Sequence, residues 1–226
     1  RGPLSHSLRN SAASSSRANA ILTENIVNYA AGTYATPNTG YFGGGSPSPY
    51  YSTVDRVDYS NDTATASVKG PLNQNKMVGN AVGNDSFGYF GGGRVESGPS
   101  PWNLISNVDR IDYVNDTVTA VAKGPLIGNR YNQGATGNKN FGYFGGGWTP
   151  NPTTIQRIDF ANDTATAAAQ SNMTRGSQDL DATGNQNFGY FGGGDPVVST
   201  IDRLDYSNDT TDAVTKGPLS VARYGL

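Results

Sequence analysis

Apolar and polar positions along this chain repeat with the period of a strand, and no repeated stretch carries the period of a helix. The stretch TVDRVDY (53–59) puts Val54, Arg56 and Asp58 on one side and Asp55, Val57 and Tyr59 on the other. Neither side is cleanly polar, so this pattern predicts a strand covered on both faces. The turn formers SND follow. Asn and Asp tolerate left-handed backbone and bond their own main chain, which predicts a hairpin tip there. TATASV then alternates small and hydroxylated residues at strand period, and KGP ends it. After a variable stretch come AVGN or ATGN, the aromatic strand FGYF and a GGG exit. The reading is four strands per unit of about 50 residues.

The pattern recurs almost letter for letter. GYFGGG stands at 40–45, 88–93, 142–147 and 189–194, with its tyrosines 48, 54 and 47 positions apart. DRVDYSNDT (55–63) returns as DRIDYVNDT (109–117), QRIDFANDT (156–164) and DRLDYSNDT (202–210). RGPL opens the chain, KGPL recurs at 69–72, 123–126 and 216–219, and QSNM (170–173) fills the place once, with Met173 in the leucine slot. These phrases divide the chain into units of about 1–69, 70–123, 124–169 and 170–216, followed by a partial unit, 217–226. Segment 11–39 interrupts the first unit, lengthening it by about 20 residues. Its Ser, Ala and Asn content predicts an extended loop with a short helical turn near ILTENIV. Long loops in compact domains often carry function.

The fold class expected from this is all-β. Four-stranded units at such a period suit a β-propeller whose blades pack face to face. The alternatives are a β-solenoid and an open repeat array. Buried charges need partners, so the Arg and Asp of DRxDY are expected to pair in a ladder between blades. GYFGGG is expected to be an inner strand and its exit turn, where glycine permits close approach and positive φ.

The order seen at Val108, Ile111, Asp112, Thr117, Pro125, Leu126, Arg130, Tyr143, Gly145 and Gly146 resembles the Kelch repeat. The Kelch tryptophan is missing, with Ala64, Val118 and Ala165 near its place. The wording at 53–72, 107–126, 135–147 and 182–219 is similar to tandem-repeat proteins of marine bacteriophages, cyanophages especially. That resemblance implies a virion or extracellular location and a non-enzymatic role in a tail fibre, appendage or surface decoration. It also implies other virion proteins as partners, with a host-surface glycan or protein as target, and a multimeric setting. A carbohydrate-active propeller enzyme and an extracellular filament subunit are the alternative functions.

Composition narrows the chemistry. With 16 Lys plus Arg against 18 Asp plus Glu, the net charge is −2, which argues against a nucleic acid held by bulk charge. No apolar run approaches the length of a membrane span. There is no cysteine, so no disulfide or thiolate metal site forms, and the only histidine is His6. No HExxH, GxSxG or Walker lysine occurs, so neither a catalytic residue, a metal nor a cofactor is expected. The acids of DRxDY recur in every unit, whereas an active site needs one constellation. The Asn-x-Thr of NDT (Asn61, Asn115, Asn162, Asn208) reads as turn chemistry ahead of glycosylation or Ca²⁺ binding.

What does vary is the stretch from GGG to the next strand: SPSPYYST (46–53), RVESGPSPWNLISN (94–107), WTPNPTT (148–154) and DPVVST (195–200). Tyr50, Tyr51, Trp102 and Trp148 lie there, and aromatics on stiff loops make contact surfaces for sugars or proteins. They are the candidate ligand-binding residues. The ten C-terminal residues are expected to lead into a further blade of a longer array, pair with another chain, or latch the ring.

Overall fold

The computed structural model describes residues 19–21, 38–77, 80–97, 103–148 and 152–226. These form sixteen strands in four antiparallel four-stranded sheets, each a meander in chain order. The first sheet contains β1 (Asn19–Ile21), β2 (Thr39–Gly43), β3 (Val54–Asp58) and β4 (Ser67–Lys69). The second contains β5 (Asn80–Gly83), β6 (Phe87–Arg94), β7 (Leu104–Asp112) and β8 (Val121–Lys123). β9 (Tyr131–Gly137), β10 (Phe141–Trp148), β11 (Thr154–Asp159) and β12 (Ala168–Asn172) make the third. β13 (Asp181–Gly184), β14 (Phe188–Gly192), β15 (Ile201–Asp205) and β16 (Val214–Lys216) make the fourth. The chain is therefore all-β over the described residues.

Local chemistry explains each turn. At the tip of every first hairpin except the first sheet's, an Asn side chain accepts from the backbone two and three residues on. Asn84 does so from Ser86 and Phe87, Asn138 from Asn140 and Phe141, and Asn185 from Asn187 and Phe188. The DRxDY strand ends when its last Asp caps a single 3₁₀ turn, as Asp112 does by accepting from Val114 N. The GGG exit needs backbone that L side chains avoid: Gly92 and Gly93 have φ of 65° and 120°, and the other units repeat this.

Two expectations are corrected. The TATA stretch is not strand beyond its last residues. Ala120 N donates to Pro71 O and Ala167 N to Pro125 O, so this segment bonds to the preceding unit instead of its own sheet. GYFGGG is the second strand of each sheet, not the innermost. The first strands β1, β5, β9 and β13 stack on one another. Segment 11–39 also contains β1, which pairs with β2 from Asn19↔Gly43 to Ile21↔Tyr41. Part of the extra length thus lies in the first hairpin: Tyr41 follows Ile21 by 20 positions, Tyr89 follows Val82 by seven. Residues 11–18 and 22–37, with the ILTENIV turn, lie outside the described residues apart from Ile21.

The core lies between sheets. One face of each sheet carries Tyr, a β-branched residue and Arg; the other carries Phe, then Asp or Gln, then Val, Ile or Leu. Phe90 is fully buried against Gly43, Phe144 against Gly91 and Phe191 against Gly145. A Cβ on those glycines would stand 2.7, 2.8 and 2.8 Å from the ring. Around each ring gather the Leu or Met of the connector and the Tyr of the preceding sheet, as with Phe90, Leu72 and Tyr41. Tyr41 stacks on Tyr113 at 5.0 Å, Tyr89 on Phe160 at 4.7 Å and Tyr143 on Tyr206 at 4.7 Å.

The described contacts join first sheet to second, second to third and third to fourth. The extended contact between fourth and first that closes a four-bladed ring is not among them. Residues 217–226 follow the path of the earlier connectors. Leu219 N donates to Ser199 O as Leu72 N does to Ser52 O, and Gly194 N donates to Arg223 O as Gly45 N does to Lys76 O.

Ring and glycine pack too closely for a Cβ to enter without a shift, so enlarging the glycine has a defined cost. Gly145→Ala should destabilise the fold by about 1–3 kcal/mol through overpacking against Phe191. Gly192→Ala should change stability little, because a Cβ there meets only Ile201 at 3.6 Å. Urea unfolding of the two variants checks this; equal midpoints would remove the packing argument.

Candidate functional site

Two sets of polar residues repeat down the array: a charge relay between sheets and an edge of loops. In the relay, Tyr and Arg are cross-strand partners: Tyr41↔Arg56, Tyr89↔Arg110 and Tyr143↔Arg157. They share a face, and both reach the Asp of NDT in the next sheet. Arg56 Nη1 donates to Asp116 at 2.8 Å, Arg110 Nη1 to Asp163 at 2.7 Å and Arg157 Nη1 to Asp209 at 2.7 Å. The tyrosine hydroxyls donate to the same carboxylates at 3.0, 3.0 and 2.7 Å. Lys69 and Lys123 add their ammonium groups to Asp116 and Asp163. The guanidiniums of Arg110 and Arg157 also lie over Phe87 and Phe141.

The expected Arg–Asp ladder therefore exists, but its acid is the NDT aspartate and not an Asp of DRxDY. Sequence reading assigned Asp116, Asp163 and Asp209 to turns alone. Their recurrence was visible, but a partner some 50 residues away was not. The first Asp of DRxDY faces the preceding connector. Asp109 pairs with Lys76 at 3.0 Å, both wholly buried, and Asp202 accepts from Thr174. Burial pulls the Lys76 ammonium below its ordinary range, and the Asp109 charge opposes that. Burial also raises the Tyr89 and Tyr143 hydroxyls, and the carboxylates they bond push the same way. At Asp163 burial raises the carboxyl. The hydrogen bonds from Lys123 and Tyr89 and the charges of Arg110 and Lys123 outweigh it and hold the group below its ordinary range.

The loop edge comes from topology. Meander connectivity puts the loops between second and third strands at the same end as the connectors. Glu96, in the second sheet's loop, accepts from Tyr50 N at 2.8 Å, so neighbouring loops touch. Tyr50 is half-buried and Tyr51 is exposed. Trp148 is half-buried at the end of β10, opposite Tyr131, whose hydroxyl lies 3.4 Å from Met77 Sδ. Tyr131, the first residue of β9, is an aromatic of this edge that the sequence pattern does not mark, because it falls in the variable stretch between KGPL and ATGN. Trp102 lies outside the described residues. Tyr50 and Tyr51 belong to the first sheet and Trp148 to the third. They share an edge and are two sheets apart.

At the opposite rim, between the hairpins of the third and fourth sheets, lies a groove of about 390 Å³. Its wall is amide and ring: Asn138, Asn140, Gln186, Asn187, Phe141 and Phe188. Its carboxylate, Asp205, is already bonded to Ser207 N and Oγ, which lower its pKa. Among the described residues no three acids or histidines gather around one point. No described helix is long and apolar enough to cross a membrane.

The sequence matches no protein-family model, and no curated protein matches it significantly.

The relay predicts a graded response. Asp163→Asn leaves Arg110 and Lys123 facing each other without a counter-charge and should cost about 2–3 kcal/mol. Asp62→Asn, at the matching turn of the first sheet, should cost little, since Asp62 is exposed. Acid should act the same way. The folded carboxyl of Asp163 titrates below its unfolded value of about 3.9, so its contribution is full above that pH and is lost as pH falls through the folded value. Denaturant midpoints of parent and Asp163→Asn from pH 7 to pH 2 check this; curves that stay parallel throughout would contradict it.

Proposed function

We propose that the chain is a non-enzymatic structural and binding component of a phage virion, in a tail fibre, appendage or surface decoration. The observation that carries this is the division of labour within each repeat. The repeated residues, Phe, Gly, Tyr, Arg and the NDT aspartate, are engaged in contacts between sheets. The loops between second and third strands, which differ from unit to unit, fall on one edge, which carries Tyr50, Tyr51 and Trp148. A rigid scaffold with a variable aromatic edge suits recognition, and regular stacking suits a body that bears load. The wording of the repeats, similar to that of marine phage arrays, supplies the setting.

Within this reading each sheet is a blade of Kelch-like character. The uncovered outer faces of the first and fourth sheets favour an open array over a closed four-bladed ring. The target of the edge is a host-surface glycan or protein, held by ring stacking.

Two measurements test the proposal. Mass spectrometry of purified particles whose genome encodes this sequence should find its peptides; particles free of them would sink the virion setting. Tyr51→Ala with Trp148→Ala should weaken binding of the labelled chain to host cells by roughly tenfold or more, the loss of one or two aromatic anchors. Melting should be unchanged. Undiminished binding would move the recognition surface elsewhere.

A further inference from the structure

Among the described residues, the first and fourth sheets carry the two unfilled halves of a contact that occurs three times between sheets. On the first sheet the ring is present without its glycine: Phe42 is 37% exposed, while Phe90, Phe144 and Phe191 are 0, 0 and 2% exposed. Asp62 is exposed, whereas its counterparts Asp116, Asp163 and Asp209 are buried under Arg and Tyr. Ala66 is half-buried, whereas Ala120, Ala167 and Ala213 are buried.

On the fourth sheet the glycine is present without its ring. A Cβ at Gly192 meets nothing but Ile201, although the matching Gly43, Gly91 and Gly145 each abut a phenylalanine. Arg203 lies over Phe188 as Arg110 lies over Phe87, yet it has no ion pair among the described residues. Tyr190, Ile201 and Leu219 are half-buried, where Tyr89, Val108 and Leu126 are fully buried. Gly217 meets nothing, while a Cβ on Gly70 or Gly124 would collide with a backbone carbonyl of the next unit at 1.9 Å. The charges match as well. The fourth sheet and its tail present Arg203, Lys216 and Arg223, in the places of Arg110, Lys123 and Lys76. The first sheet presents Asp55 and Asp62, in the places of Asp109 and Asp163.

We propose that the outer face of the fourth sheet binds the outer face of the first sheet of a second copy, head to tail. Phe42 of one copy seats against Gly192 of the other. Asp62 receives Arg203, Tyr190 and Lys216, and Asp55 receives Arg223. This contact is heterologous, so it propagates along a row of copies and gives a filament or a larger ring, not a symmetric dimer. It covers the sheet faces that a lone copy leaves in water. The inference stands on the contact set and is independent of the virion setting.

Sedimentation of the 226-residue chain across the micromolar range tests it. The parent should show a mass that rises with concentration and falls with added salt, which screens the rim charges. Phe42→Glu blocks the first-sheet face, and Gly192→Trp fills the socket on the fourth. Among the described residues Phe42 belongs to no buried cluster and a Cβ on Gly192 meets only Ile201, so both variants should melt like the parent and sediment as monomers. Asp62→Lys, on an exposed turn, is a second block of the first-sheet face should Phe42→Glu fold poorly. Mixing Phe42→Glu with Gly192→Trp leaves one competent face on each partner, so the mixture should give a one-to-one dimer and stop there. A parent that is monomeric at every concentration overturns the proposal, and so does assembly that survives both blocks or a mixture that gives no dimer.

Discussion

The structure depends on a burial that no sheet completes alone. Each third strand carries an arginine on one face and an aspartate or glutamine on the other, among apolar neighbours, and wherever two sheets meet these groups are covered. Covering an arginine is favourable only if an acid arrives with it. The NDT aspartate of the next sheet is that acid, and a tyrosine on the arginine's own face donates to the same carboxylate. Beside it, the phenylalanine of the next sheet enters the space left by a glycine. The charged contact sets which residues face each other, and the ring-to-glycine contact sets how near the sheets come.

From this follows what can change between units and what cannot. A residue in the relay answers to another sheet, so its replacement disturbs two sheets at once. A residue in the loop between the second and third strands answers mainly to its own loop and to the neighbouring edge. The two kinds of position lie at different places on every sheet, because the meander puts those loops at one end and the NDT turns at the other. Stability and recognition are thereby separated in space. The third unit shows how far the relay bends: Gln156 replaces the first Asp of DRxDY and accepts from Ile127 N, so a polar partner on the connector survives without charge.

The same dependence gives the array its polarity. Every interior sheet offers a ring and an acid to the sheet before it, and a glycine and an arginine to the sheet after it. A row built this way has two different ends. The outer faces of the first and fourth sheets carry complementary halves of one contact and are not generic apolar surfaces.

The sequence by itself determined the local elements. Strand period, turn residues and fourfold wording were enough to place the all-β class, the exit turns and the variable stretches that carry Tyr50, Tyr51 and Trp148, because each is set by residues within a few positions of one another. It also required a partner for the buried arginine. Only the tertiary structure decided which partner: Asp163 lies 53 positions from Arg110, and an Asp in the same strand satisfied the local pattern equally well. The tertiary structure also decided that TATA bonds to the preceding unit, that β1 begins inside the apparent insertion, and that Tyr131 stands beside Trp148. The first is a contact between units, and the other two are strand pairings within a sheet between residues that no short pattern links. A repeated sequence states that its units are alike; the angle and order in which they stack arise from packing across faces, which no single unit contains.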